Sequence, residues 1–184
     1  DDLNKTLSVL EKLAEGHDLI VSFGGVSVGE EDHIKTAVRN LGTLEQWKVK
    51  LKPGKPLMFG EINHCDTPTT RSTPILGLPG NPVSSFVTFL LFGRTLLNAL
   101  VGDKSPLPAP LMAPLGFAIE RPRKRPEYLR VNVEAGELIP CSNQSSGVLS
   151  SLHHAYGLAK VPADTTLKKG DLVECYPLST LIYS

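Results

Sequence analysis

Leu19-Ile20-Val21-Ser22-Phe23 runs straight into Gly24-Gly25-Val26-Ser27-Val28-Gly29, and this junction decides the fold. The first five residues are short and mostly apolar, the pattern of a strand buried on both faces. The glycines form a loop. Glu30-Glu31-Asp32 then leads into a helix through Ile34, Ala37, Val38 and Leu41, stopped by Gly42. Upstream, Asp1 or Asp2 caps a helix whose apolar positions Leu3, Leu7, Leu10, Leu13 and Ala14 recur at helical spacing, with Gly16 ending it. Helices alternating with buried strands predict a layered α/β sheet.

The pattern continues downstream. A strand over about 46–51 alternates Trp47, Val49 and Leu51 with Lys48, Lys50 and Lys52, and Pro53-Gly54 ends it. Residues 57–62 read as another strand, 63–73 as a polar loop or hairpin tip, and 74–78 as a short buried strand. Pro79-Gly80-Asn81-Pro82 makes a turn, with Asn81 as a cap and Pro82 at the first helical position, where its missing N–H costs nothing. The long helix that follows carries Phe86, Val87, Leu90, Leu91, Leu97 and Leu100 and stops at Gly102. Residues 1–102 therefore predict the later part of an α/β domain. The chain opens on Asp1 rather than Met, so it is expected to be a piece of a longer protein. Pro106, Pro108, Pro110 and Pro114 mark a linker over 103–114. Strand-forming segments at 115–120, 128–133, 138–141, 157–161, 172–176 and 180–183 then predict a small all-β domain over 115–184.

Composition narrows the function classes. Hydrophobic residues at 41% and charged residues at 21% predict a folded core rather than disorder. The 19 basic and 19 acidic residues cancel, so the basic excess that duplex nucleic acid favours is absent. Cys65, Cys141 and Cys175 are odd in number and form no C-x-x-C pair, which reads as three reduced thiols in the cytoplasm. No apolar run in the sequence approaches a bilayer span, and no signal peptide is read. No membrane partner is expected.

Several residues could carry chemistry. The Gly24–Gly29 loop is either an ordinary tight turn or a nest of backbone N–H groups for an anion, at the strand end where α/β sheets collect ligands. It is neither a Walker loop nor G-x-G-x-x-G. Asp32 either caps the next helix or holds Mg²⁺ beside that nest. Lys48, Lys50 and Lys52 would share one strand face over roughly 13 Å. Lys55 adds a fourth charge, and no carboxylate nearby compensates. A solvated face is the usual explanation, but the repulsion favours an external anion. The Pro79–Pro82 turn is a cap or a second anion contact. Arg121, Arg123, Lys124, Arg125 and Arg130 fit a phosphate site or a solvated β-turn equally well. His64, His153 and His154 lack the spacing of a metal site.

Taken in order, Gly24-Gly25-Val26-Ser27-Val28-Gly29-Glu30-Glu31-Asp32, Trp47-Lys48, Lys52-Pro53-Gly54-Lys55-Pro56 and Gly77-Leu78-Pro79-Gly80-Asn81-Pro82-Val83-Ser84 resemble the molybdopterin molybdenumtransferases. The eukaryotic E domains, gephyrin's included, are similar. Arg125-Pro126-Glu127-Tyr128 and the Ser146 region resemble the family's C-terminal domain more loosely. The resemblance implies a molybdopterin-binding α/β domain, partial at its N-terminus, followed by a small β-barrel-like domain, in a homodimer. It implies insertion of molybdate into adenylyl-molybdopterin with release of AMP. Asp32, Lys48, Lys52 and Lys55 would then belong to the active site, with Lys52 and Lys55 holding molybdate or phosphate, Lys48 orienting substrate and Asp32 beside Mg²⁺. Gly24, Gly25, Ser27 and Gly29, with Pro79, Gly80, Asn81 and Pro82, would shape the pterin-phosphate and oxyanion region, and Arg125 and Ser146 would bind substrate. Two rivals stand beside this reading. One is a molybdopterin adenylyltransferase, which shares the glycine loop but not the lysine series or the β-rich tail. The other is a gephyrin-like scaffold module without catalysis. The family's N-terminal domains and the opening of its α/β domain are missing here, so this extent of chain is not expected to turn over alone.

Overall fold

The computed structural model describes residues 2–26, 33–54, 56–64, 71–103 and 107–183, with the backbone alone at 46–48 and 183. Two compact units emerge: residues 1–49 with 54–81, and residues 50–53 with 82–184.

The first unit is built on a four-stranded mixed sheet. Helix α1 (Leu3–Gly16) begins at Asp2, whose Oδ1 accepts the Asn4 N–H at 2.9 Å. Strand β1 (Ile20–Phe23), α2 (His33–Leu41), β2 (Gly42–Lys48), β3 (Pro56–Asn63) and β4 (Ser72–Leu78) follow. The sheet order is β1-β4-β3-β2, with β1 parallel to β4 and the other pairs antiparallel. Both helices are amphipathic, and their apolar stripes cover one sheet face. Leu10, Ala14, Ala37 and Val38 join Ile20, Met58, Ile62 and Ile75 in one buried core. The buried Thr73 hydroxyl donates to the Ala14 carbonyl at 2.9 Å, tying the start of β4 to the end of α1.

One departure from the sequence reading matters for function. The strand expected at 46–51 is β2, which spans 42–48 and pairs Lys48 with Pro56. Gly42 ends α2 at Leu41, as expected, and also opens β2 directly. A Cβ there would sit 2.0 Å from the Glu61 carbonyl oxygen, so only glycine permits this close pairing. Lys50 and Lys52 consequently lie beyond β2, so the strand expected to carry three lysines ends at the first of them.

The second unit opens with a helical run: α3 (Pro82–Thr88), a π-helical turn (Phe89–Gly93) and α4 (Arg94–Leu100). At 19 residues and mean hydropathy 1.5 this run is long and apolar enough to cross a membrane by length and composition, contrary to the sequence reading. Within the fold its Val83, Val87, Leu90 and Leu91 are buried. Strands β5 (Leu111–Pro114), β6 (Glu127–Glu134), β7 (Glu137–Pro140), β8 (Gly157–Val161) and β9 (Leu172–Pro177) form an antiparallel sheet of order β5-β9-β8-β6-β7, with the short helix α5 (Ser150–His153) between β7 and β8. Its edges meet where the Gly116 N–H donates to the Leu138 carbonyl at 2.9 Å, which makes the sheet barrel-like. Leu115, Leu129, Val131, Leu138, Val161 and Val173 fill it.

Three segments of this unit differ from expectation. β5 falls inside the stretch read as linker, because Leu111–Pro114 pairs with β9 despite its proline. Proline is tolerated there because β5 is an edge strand. Residues 115–120 carry isolated bridges at Leu115 and Ile119 rather than a strand. Residues 178–183, read in part as a strand, form helix α6 (Leu178–Tyr183). Leu178 and Leu181 are buried at helical spacing, and the Arg94 guanidinium donates to the Thr180 and Leu181 carbonyls.

Candidate functional site

In the first unit, two loops leave the carboxyl ends of neighbouring parallel strands. Gly24 and Gly25 follow β1 with φ of +83° and +70°, a backbone that side chains with a Cβ rarely adopt. The Gly24 N–H donates to the Leu78 carbonyl at 3.0 Å, extending the β1–β4 pairing by one step. Pro79, Gly80 and Asn81 follow β4. A Cβ on Gly80 would lie 3.8 Å from Gly24 Cα, in ordinary contact, so the two loops run side by side. Val26 anchors the first of them. It is 5% exposed, and its seat exists because residue 77 is glycine: a Cβ there would come within 2.6 Å of Val26 Cγ1 and 2.9 Å of Met58 Cε. The result is a glycine-lined shelf at a strand end, where backbone groups can approach a ligand closely. Ser27, Gly29 and Asp32 lie outside the described residues, so the proposed Mg²⁺ ligand is untested.

In the second unit, Lys52 is laid beside the start of β6. Its N–H donates to the Pro126 carbonyl at 3.0 Å and its own carbonyl accepts the Tyr128 N–H at 2.7 Å. The Lys52 ammonium lies 2.7 Å from Glu127 Oε1, and the Arg123 guanidinium pairs with Glu127 Oε2. The Glu127 side chain is 4% exposed, against 52% for Lys52 and 38% for Arg123. A buried carboxylate thus holds two half-open cations. Arg125 donates to the Leu51 carbonyl at 3.3 Å. Lys52, Glu127 and residues 117–125 line an open groove of about 820 Å³. The counter-ion of Lys52 is Glu127, distant in sequence, where the local reading saw no compensating carboxylate.

Ser146 does not line that groove. Its carbonyl accepts the Val83 N–H at 3.0 Å, at the start of α3 just after Pro82. The loop before it is held by Arg130, which is 1% exposed and donates from Nη2 to the Asn143 and Ser145 carbonyls at 3.0 and 3.2 Å. Gln144 clamps the same strand, donating from Nε2 to the Arg130 carbonyl at 2.7 Å. Burial of the guanidinium depresses its pKa, against the Cys141 and Glu127 charges that act to raise it. Arg130 is therefore a structural clamp, not part of a solvated β-turn.

Of the predicted site residues, the structure brings Gly24 and Gly25 together with the Pro79–Asn81 turn, and separately sets Lys52 with Arg125. Lys55 and the Lys48 side chain lie outside the described residues. Glu127 was missed as a site residue, while Arg123 was named only within the basic patch. The signal for Glu127 was legible: in Arg121-Pro122-Arg123-Lys124-Arg125-Pro126-Glu127-Tyr128-Leu129-Arg130 a single acid stands among five cations.

Comparison with known proteins adds an independent line. Residues 1–99 match the family model described as a probable molybdopterin binding domain, and residues 112–178 match the MoeA C-terminal region, domain IV. The chain is 41% identical over 87 residues to the molybdopterin molybdenumtransferase of Haemophilus influenzae, covering 47% of this chain and 20% of that protein. It is 33% identical over 195 residues to gephyrin of Dictyostelium discoideum, covering 95% of this chain and 27% of that protein. A solved structure of the molybdopterin biosynthesis MoeA protein from Pyrococcus horikosii matches 96% of this chain and 41% of its own, at TM-score 0.73 and 26% identity. The chain spans less than half the length of each of these.

Proposed function

Because the chain belongs to the family of molybdopterin-binding domains joined to a MoeA C-terminal region, we propose that it serves in molybdenum cofactor assembly, inserting molybdate into adenylyl-molybdopterin with release of AMP. The observation that carries this reading is the Lys52 ammonium, held by a buried carboxylate yet half open to solvent beside a cationic groove. Fixed positive charge is what the reaction needs, since a dianion must approach an anionic phosphoanhydride. Positioned cations offset that repulsion before the chemistry begins.

The residues divide the work. Lys52, with Arg125, holds the oxyanion. The Gly24-Gly25 shelf and the Pro79–Asn81 turn receive the pterin phosphate by backbone contact. Lys48 and Lys55 complete the basic series, Ser27 and Gly29 the loop, and Pro82 and Ser146 the substrate region. Mg²⁺ at Asp32 rests on the motif alone; when bound it would neutralise charge on the departing AMP. The same proposal includes a cytoplasmic homodimer.

The likeness to gephyrin favours a second reading, a scaffold module that binds molybdopterin without turnover. Incubating the full-length protein with adenylyl-molybdopterin and molybdate, and measuring released AMP, separates the two. Molybdate-dependent AMP release is expected, and its absence from a folded protein that still binds molybdopterin would leave the scaffold reading.

A further inference from the structure

Glu127 presents its two carboxylate oxygens to different cations. Oε1 lies 2.7 Å from the Lys52 ammonium, and Oε2 pairs with the Arg123 guanidinium. The three side chains therefore sum to one positive charge. Taking Arg123 away would bring the sum to zero and leave Oε2, on a buried carboxylate that lines the groove, without its counter-ion. An anion approaching Lys52 would then meet a neutral pair with a bare carboxylate oxygen beside it, and like charges repel more strongly where water is scarce. Whether Lys52 has net charge to offer is decided at residue 123.

Arg123 is fixed in this position. Its carbonyl accepts the Asp164 N–H at 2.8 Å, which ties its main chain to the loop between β8 and β9. Its side chain reaches Glu127 four residues on and stays partly open to the groove. The other charges of the groove are less well placed for this task. Arg121, Lys124 and Glu120 are exposed, where water and salt weaken their fields. Arg125 turns one guanidinium nitrogen to the Leu51 carbonyl.

We propose that Arg123 is a positioning residue that sets the charge of the oxyanion site: it occupies Oε2 of Glu127 and so leaves Lys52 with net positive charge to hold a tetrahedral dianion. Arg123 lies outside the motifs that carry the family resemblance. Its role rests on the reading of Lys52 as the residue that holds the oxyanion, and it does not require transfer to follow.

The test is calorimetric titration of the full-length protein with molybdate, comparing wild type, Arg123→Gln and the double variant Arg123→Gln/Glu127→Gln. Thermal unfolding confirms that each is folded. Arg123→Gln keeps a donor for Oε2 and removes only the charge, and it is expected to weaken molybdate binding by about tenfold or more. The double variant loses the whole ion pair but leaves Lys52 its positive charge, so it is expected to bind more tightly than Arg123→Gln. A purely structural role for Arg123 would give the opposite order, because the double variant disturbs more of the anchor. Unchanged affinity in Arg123→Gln, a double variant that binds no better than Arg123→Gln, or a folded wild type that binds no molybdate would each overturn the proposal. The expected order of affinities without AMP release in the transfer assay would sink the transferase reading alone.

Discussion

The Lys52 ammonium stands 2.7 Å from Oε1 of Glu127, a carboxylate that is 4% exposed, while half of the lysine side chain stays open to solvent. Backbone hydrogen bonds on both sides of Lys52 fix its main chain against residues 126 and 128, so the charge is anchored at root and tip. A lysine on a free strand face would instead sample many rotamers and lose that entropy on binding an anion.

Glu127→Gln keeps the shape of this anchor and removes its charge. Breaking a buried ion pair is costly, but both cations here can reach water, which lowers the cost. A loss of roughly 1–3 kcal/mol in unfolding free energy is expected. Urea denaturation reads it, and an unchanged midpoint would show that Glu127 is not the counter-ion that organises Lys52 and Arg123.

Gly77→Ala tests the seat of the glycine loop. The new methyl would press on Val26 Cγ1 and Met58 Cε, both within 3.0 Å. Overpacking of this kind costs about 1–3 kcal/mol. Val26 is the side more free to move, because it lies outside β1 whereas Met58 sits within β3. Hydrogen exchange at Gly24 and Gly25 should therefore accelerate more than exchange within β3. Uniform acceleration across the sheet would mean that Val26 does not anchor the loop.

The sheet of the second unit carries a pH-sensitive pair. Lys160 Nζ lies 2.8 Å from Glu174 Oε2, and the Tyr176 hydroxyl donates to the same oxygen at 3.0 Å. The hydrogen bond from Lys160 is the main cause holding the Glu174 pKa below its ordinary value, and the same bond raises that of Lys160. A depressed carboxylate stabilises the fold above its unfolded pKa, near 4.5, and loses that contribution as pH falls through the folded value. A raised lysine contributes below its unfolded pKa, near 10.5, and loses that contribution as pH rises through the folded value. Tyr128 and Tyr176, raised chiefly by burial, add to the alkaline limb in the same sense. Because Lys160 and Glu174 are about a third exposed, the acid limb should be small, below about 1 kcal/mol. Thermal unfolding across pH should show that limb in the wild type and a flatter one in Glu174→Gln. Equal slopes in the two proteins would remove the pair from the account.

Local periodicity made much of this architecture legible. The Asp2 cap, the α1 and α2 stripes, the buried strands and the Pro79–Pro82 turn follow from short-range propensity and hydrophobic pattern. Where the reading failed, tertiary contact overrode a local signal. Residues 180–183 looked like a strand, yet α6 buries Leu178 and Leu181, and Arg94 binds two of its carbonyls. The lysine series was the largest error of geometry. Alternation suggested a shared face, whereas β2 ends at Lys48 and Lys52 finds its counter-ion in Glu127 on β6. Such pairing cannot be read from neighbours in sequence. Only the lone acid within the basic stretch 121–130 hinted at it.

The most direct test of the account is the rate of molybdenum insertion by the full-length protein carrying Lys52→Ala. With folding confirmed by thermal unfolding, insertion and molybdate-dependent AMP release should fall by about 100-fold or more, the scale of removing one fixed charge from a transition state. A folded Lys52→Ala protein that inserts molybdenum at the wild-type rate would contradict it.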